Sequence, residues 1–229
     1  MAKLLGMAGI EKSFFGVCVL KNANFELDYG EVHVLLGANG AGKSTLMKIL
    51  SGAYTLDAGK IVFDGRPLDL STYSPRTAEN LGIVTVYQNF HLIPDLTVAE
   101  NLSLNDFVYG RGMVRWEKVF THAHEVLDHL NFDIDPRKKV RDLPVSQKQM
   151  LEIANALSKN AKLLVMDEPT AALSNTEVDI LFNTIEDIKT RGIGIIYISH
   201  KLEEVKRIGD RITILRDGTN VATLAAEEA

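Results

Sequence analysis

A chain of 229 residues is long enough to enclose a sizeable core without disulfides or metals. Hydrophobic residues at 46% and charged residues at 24% match ordinary globular usage, which excludes collagen-like, low-complexity and disordered classes. The 25 basic against 30 acidic side chains leave a net charge of −5, which argues against a dedicated nucleic-acid surface, and a single cysteine, Cys18, fits a reducing compartment.

In chain order, Phe25 and Leu27 alternate with polar neighbours, Tyr29-Gly30 marks a turn, and Val32 to Leu36 reads as a continuously apolar, buried strand. A glycine-rich loop follows, helical spacing runs from Lys43 to Leu50, and Gly52 stops that helix. Lys60 to Phe63 with Asp64-Gly65 predicts a strand entering a hairpin, and Ile83 to Tyr87 predicts a further strand. After Gln88 the composition changes. Leu96 to Leu104 and Glu117 to Leu130 carry helical spacing, the second with Val119, Phe120, Ala123, Val126, Leu127 and Leu130 on one stripe. Residues 91–158 are therefore expected to form a helical insert in a core made of 1–90 and 159–229. Strands return at Leu163 to Met166, Gly194 to Ser199 and Arg211 to Leu215, separated by helical segments as in parallel βαβ units. The helix that ends near Gly192 opens with Ser174 and Glu177, a capping-box pair. No apolar run approaches the roughly 20 residues of a bilayer span and no signal peptide precedes the first strand, so a membrane role is expected to run through a partner.

Gly37-Ala38-Asn39-Gly40-Ala41-Gly42-Lys43-Ser44-Thr45 satisfies the phosphate-loop pattern G-x-x-x-x-G-K-[ST] and lies between a predicted strand and a predicted helix, the context that motif requires. Glycines let backbone N–H groups curl around phosphate oxygens, and the helix start adds unpaired N–H groups and a positive dipole end. Lys43 is placed to neutralise the β- and γ-phosphates, Ser44 to offer Mg²⁺ a hydroxyl, and Thr45 to reach the α-phosphate side. Asp167 and Glu168 end an apolar strand, where the first acid suits the Mg²⁺ shell and the second suits polarising a water. His200 follows another apolar strand, so it is expected at the same carboxyl edge of a parallel sheet, where ligands of such sheets bind. Gln88 ends a third strand and is a candidate for the water and Mg²⁺ network. The expected fold class is α/β: a P-loop NTPase (RecA-like) core with an antiparallel β subdomain and an inserted helical subdomain. His122, His124, His129 and Asp128 cluster on one helix and are read as a solvated face, since no third metal ligand is evident.

The ordered set of phosphate loop, Gln88, Leu143 to Gln147, Asp167-Glu168-Pro169-Thr170 and His200 resembles the ATP-binding-cassette ATPases over essentially the whole chain. That resemblance implies ATP and Mg²⁺ as cofactors and a head-to-tail pairing with a second cassette, each ATP lying between one phosphate loop and the partner's signature helix. It implies adenine stacking for Phe14 and γ-phosphate contacts across the dimer for Pro144, Val145, Ser146 and Gln147. The runs Val145-Ser146-Gln147 to Ala154, Tyr197 to Lys201 and Ile214 to Gly218 are similar to those of bacterial monosaccharide importers, in particular to the amino-terminal cassette of their tandem subunits. Implied partners are transmembrane permease subunits and, indirectly, a periplasmic or extracellular solute-binding protein; the implied place is the cytoplasmic face of the membrane, with no nucleic acid involved. A repair or translation ATPase would carry a very long coiled coil or a charged linker between paired cassettes, and a P-loop kinase would not require the signature, Gln88 and His200 in this order.

Two departures stand out. The family signature Leu-Ser-Gly-Gly-Gln reads Leu143-Pro144-Val145-Ser146-Gln147, and Pro144 has neither hydroxyl nor N–H. Ser146 with Gln149 is expected to form a capping box that keeps the helix start in place. Ala171-Ala172-Leu173-Ser174 stands where the family often ends in aspartate, and Ser174 is read there as a helix cap.

Overall fold

The computed structural model describes residues 3–86, 90–104, 114–171 and 173–228. It divides into two compact units. The first holds Met1–Thr85, Ala161–Glu168 and Ile185–Ala229; the second holds Val86–Asn160 and Pro169–Thr184.

The first unit is built on two sheets. In one, β1 (Lys3–Phe14), β2 (Val17–Asp28), β4 (Ala58–Phe63) and β5 (Arg66–Pro67) lie in the order β2-β1-β4-β5, all pairs antiparallel. The other has the order β10-β9-β3-β8-β7-β6, with β3 (Val32–Leu36), β6 (Ile83–Val86), β7 (Leu163–Asp167), β8 (Gly194–Ile198), β9 (Arg211–Arg216) and β10 (Thr219–Ala225). Strands β9, β3, β8 and β7 are parallel neighbours, which brings their carboxyl ends to one edge. Every residue of β3 and β8 is buried, as a strand covered on both faces requires.

One apolar core joins both sheets to α1 (Lys43–Leu50): Leu5, Ile10, Leu20 and Phe25 meet Leu46, Ile49 and Leu50, together with Val165, Ile196, Ile198 and Leu215. Gly52 follows the helix at φ +73, and a Cβ there would stand 2.5 Å from the carbonyl carbon of Ser74, so only glycine fits the chain reversal. Strand β3 is not continuously apolar, because His33 sits within it at 1% exposure. Its Nδ1 lies 2.5 Å from the Glu26 carbonyl oxygen and its Nε2 2.8 Å from Thr213 Oγ1, with Phe25 tilted against the ring at 4.3 Å. Burial, helped by the charge of Arg211, pushes its pKa down to about 3, so the imidazole is neutral and serves as a satisfied polar link between strands.

In the second unit, α3 (Val98–Leu102), α4 (Trp116–His129) and α5 (Val145–Ser158) are followed by the opening turns of α6 (Asn175–Thr190). Helix α3 is shorter than its sequence periodicity suggests. It begins at a capping box in which Thr97 accepts from the Glu100 amide and the Glu100 carboxylate accepts from the Thr97 amide. Val119, Ala123, Leu127 and Leu130 of the expected α4 stripe are buried, whereas His124, Asp128 and His129 are exposed. No helix among the described residues is long and apolar enough to cross a membrane. The helical segment expected between Gly194–Ser199 and Arg211–Leu215 is α7 (Leu202–Ile208), whereas sequence periodicity did not reveal α2 (Pro75–Leu81) or β10, short elements with weak patterns.

Candidate nucleotide site

Strand β3 runs straight into the phosphate loop. Gly40 and Gly42 adopt φ of +83 and +104, which L side chains rarely take, and the loop between them turns the backbone into α1. Gly42 is the N-cap of α1 and provides no side-chain cap, and the first turn of α1 carries no acidic residue. The opening amides of the helix thus keep their donors and positive dipole end for an anion. Gly37 serves a different purpose: a Cβ on it would meet the Leu215 carbonyl oxygen at 2.3 Å, so glycine lets the loop lie directly against β9. A Cβ on Gly42 would likewise crowd β2, standing 2.7 Å from Leu20 Cδ2 and 3.3 Å from the Val19 carbonyl oxygen.

Lys43, 8% exposed, donates from Nζ to the carbonyl oxygens of Gly37 at 2.6 Å and Ala38 at 3.1 Å. The ammonium is therefore held inside the curl of the loop. Ala38, Asn39 and Gly40 are exposed, Ala41 is buried, and Ser44 and Thr45, in the first turn of α1, are exposed and half-buried.

Strands β3 and β7 flank β8 in the sheet, so the acids ending β7 are brought to the loop's edge. Asp167 pairs with Ile198 in register, and the Glu168 amide donates to the Ile198 carbonyl at 3.0 Å. One residue beyond the ladder, Glu168 takes φ +47, a costly conformation for a non-glycine residue that turns its side chain out of the strand's alternation. His200, two residues past β8, lies with Nδ1 3.0 Å from Glu168 Oε1. An acid and an imidazole 32 residues apart in sequence thus meet at one edge.

Burial, followed by the neighbouring charge of Glu168, raises the Asp167 pKa, while Lys43 and Lys48 pull against that rise. The sign of the consequence is fixed. A carboxyl whose folded pKa lies above its unfolded one destabilises the fold once ionised, and the penalty is fully present above the folded pKa. Asp167→Asn is expected to raise the melting temperature of the nucleotide-free chain at neutral pH. That advantage shrinks as pH is lowered through the carboxylate range, a trend that melting curves of both proteins across a pH series check.

Phe14 closes β1 half-buried, its ring edge-on to Tyr54 at 5.2 Å and the Lys12 ammonium 5.4 Å from its centroid. It belongs to the hairpin whose second strand, β2, walls the phosphate loop through Val19 and Leu20. Gln88 lies outside the described residues, as does Ala172.

Pro144, Val145, Ser146 and Gln147 lie in the second unit at the start of α5. The expected Ser146–Gln149 capping box does not form. The N-cap is Pro144, at φ −61 and ψ 161, the helix begins at Val145, and no side chain caps it. Ser146 is already helical, and its hydroxyl and amide, with Ser174, hold the Glu177 carboxyl below the usual carboxylate range. Gln149 is buried, and its Nε2 has no hydrogen-bond partner among the described residues. Gln147 Nε2 donates to the Asp133 carbonyl at 3.2 Å. The Ser174–Glu177 pair does form at the start of α6, where Glu177 Oε2 accepts from both the amide and the hydroxyl of Ser174 at 2.8 Å.

Comparison with known proteins adds to this geometry. The family model described as ABC transporter matches residues 20–171. The ribose import ATP-binding protein RbsA 1 of Rubrobacter xylanophilus is 52% identical over 227 residues, covering 99% of this chain and 45% of that protein. The chain therefore spans a little under half the length of the relatives it matches. Among solved structures, an ATP-binding cassette of an ABC transporter in its ADP conformation superposes with a TM-score of 0.88 at 27% identity, covering 100% of this chain and 93% of that one. A bacterial ABC transporter cassette solved as a dimer gives 0.81 at 25% identity, covering 97% of this chain and 99% of that one.

Proposed function

This chain belongs to the ABC transporter family, and we propose that it binds MgATP and hydrolyses it as the nucleotide-binding cassette of a monosaccharide importer. The observation that carries the reading is the joining, within one compact unit, of the Lys43 loop, Asp167, and the 3.0 Å contact between Glu168 and His200.

Phosphates lie on the open amides at the start of α1, with Lys43 leaving its carbonyl partners to meet the β- and γ-oxygens. A water oxygen forms a bond to the γ-phosphorus, the bond to the β,γ-bridging oxygen breaks, and ADP departs with that electron pair. The water's proton passes to Glu168, and His200 orients the Glu168 carboxylate and contacts the γ-phosphate. Gln88 joins this network, and Phe14 offers its ring to the adenine. Ser44 and Asp167 fit a divalent cation: one supplies a hydroxyl, and the other is a half-buried carboxylate raised by burial and by Glu168, whose charge a cation would relieve. When bound, Mg²⁺ supplies neutralisation of phosphate charge.

Pro144, Val145, Ser146 and Gln147 face the γ-phosphate of a second cassette in a head-to-tail pair. The dimeric bacterial cassette of the same fold supports that arrangement. Lacking a donor, Pro144 weakens the site this signature completes. Permease subunits hold the cassette peripherally at the cytoplasmic face of the membrane, and the import of ribose named for the Rubrobacter relative supports a sugar as cargo, delivered by a solute-binding protein.

The test is ATP hydrolysis by the full chain with Mg²⁺ and no added acceptor. Steady release of phosphate that stops when Mg²⁺ is chelated is expected; phosphate transfer seen only with a metabolite acceptor overturns the reading.

A further inference from the structure

His200 is exposed, and a side chain at the edge of a sheet acts reliably only if its backbone is held. The carboxylate that ties down its neighbours is buried. Glu204, in the first turn of α7, is 7% exposed. Its Oε2 accepts from the Tyr197 hydroxyl at 2.9 Å and from Ser199 Oγ at 3.0 Å, and its Oε1 lies 2.9 Å from the Lys201 ammonium. Ser199 Oγ in turn accepts from the Lys201 amide at 3.1 Å. Tyr197 is fully buried in β8, so the carboxylate is tied to the sheet as well as to the residues on both sides of His200.

A buried carboxylate is expensive unless its oxygens are satisfied. Here two hydroxyls and an ammonium satisfy it, and these donors all belong to the stretch from Tyr197 to Lys201 that contains the imidazole. An apolar side chain would fill the same space and close the helix against the strand. What it would lack is any hold on Ser199 and Lys201.

We propose that Glu204 is a positioning residue for His200, fixing the backbone on both sides of it so that the imidazole stays against Glu168; this deepens the ATPase reading and rests on it for its catalytic consequence. In the full chain, Glu204→Gln keeps the shape and removes the charge. The expected result is a roughly 10- to 100-fold fall in kcat for MgATP with KM unchanged, the size of effect that a displaced reacting group produces. In a His200→Ala background the same substitution should cost nothing further, because its effect passes through the imidazole. In the nucleotide-free chain, the His200 ring-nitrogen resonances should shift and the Lys201 amide should exchange faster.

Equal losses of kcat in both backgrounds, or ring-nitrogen resonances and amide exchange identical to wild type, would overturn the proposal. Ser199→Ala, which removes one hydroxyl and no charge, provides the same readouts if Glu204→Gln does not fold. A wild-type chain that hydrolyses no ATP defeats the ATPase reading alone, and the resonance and exchange measurements still decide whether Glu204 holds the loop.

Discussion

Glu168→Gln is expected to lower ATP turnover by roughly 10²- to 10⁴-fold, the contribution of a well-placed general base, while ATP affinity changes little. The reason lies in what the substitution leaves untouched. The phosphate loop, Lys43 and Asp167 come from other backbone positions, and the amide of residue 168 still donates to the Ile198 carbonyl. The glutamine side chain is close in size and can still face His200 Nδ1, so only the proton acceptor is lost. With cleavage blocked and binding kept, ATP-bound chain should accumulate as a dimer. Phosphate-release kinetics, equilibrium ATP binding and light scattering with and without MgATP check the three parts. Unaltered turnover would remove Glu168 from the mechanism.

Gly37→Ala should be far more damaging than Gly40→Ala, although both glycines belong to the same loop. A Cβ at position 37 would stand 2.3 Å from the Leu215 carbonyl oxygen and 3.3 Å from its carbonyl carbon, and backbone cannot move aside as a side-chain tip can. Relief requires the loop to lift from β9, carrying with it the Gly37 carbonyl that holds Lys43. Overpacking of this kind costs about 1–3 kcal/mol, and in a chain of this length each kcal/mol lowers the melting temperature by roughly 2–4 °C. The ATP-binding geometry should be lost with it. At Gly40 nothing lies within 4 Å of the added carbon, so the cost is the positive φ alone, about 1–2 kcal/mol, with binding weakened but present. Thermal melts and ATP titrations of the two variants make the comparison, and equal behaviour would contradict the close packing of Gly37 on β9.

Much of this site is legible along the chain because its chemistry is local. A run of glycines ending in lysine and serine defines a phosphate cradle by backbone conformation alone, and the apolar runs Leu163–Met166 and Gly194–Ile198 announce buried strands whose ends must carry the acids and the histidine. The misreadings also have local causes. Ser146 and Gln149 have the spacing of a capping box, but Pro144 accepts the extended ψ of an N-cap, so the helix starts before Ser146 and Glu177 of another helix takes up its hydroxyl. His33 was hidden in an apolar run, because nothing along the strand tells that Glu26 and Thr213 wait to satisfy its ring. Nothing along the chain distinguishes Glu204 from any acidic residue of a first helical turn, where the helix dipole alone would account for it.

Neighbouring residues and backbone preference are enough to define the phosphate loop, the strand-terminal position of Asp167 and Glu168, and the family. That Glu168 touches His200, that Gly37 rests on Leu215, and that Glu204 contacts the residues on either side of the imidazole emerge only in the folded chain. Those contacts depend on which strands are neighbours and in what register, with β7 and β8 aligned so that Asp167 meets Ile198. Strand order and register arise from burying apolar faces across the whole fold, and no short stretch of chain contains that information.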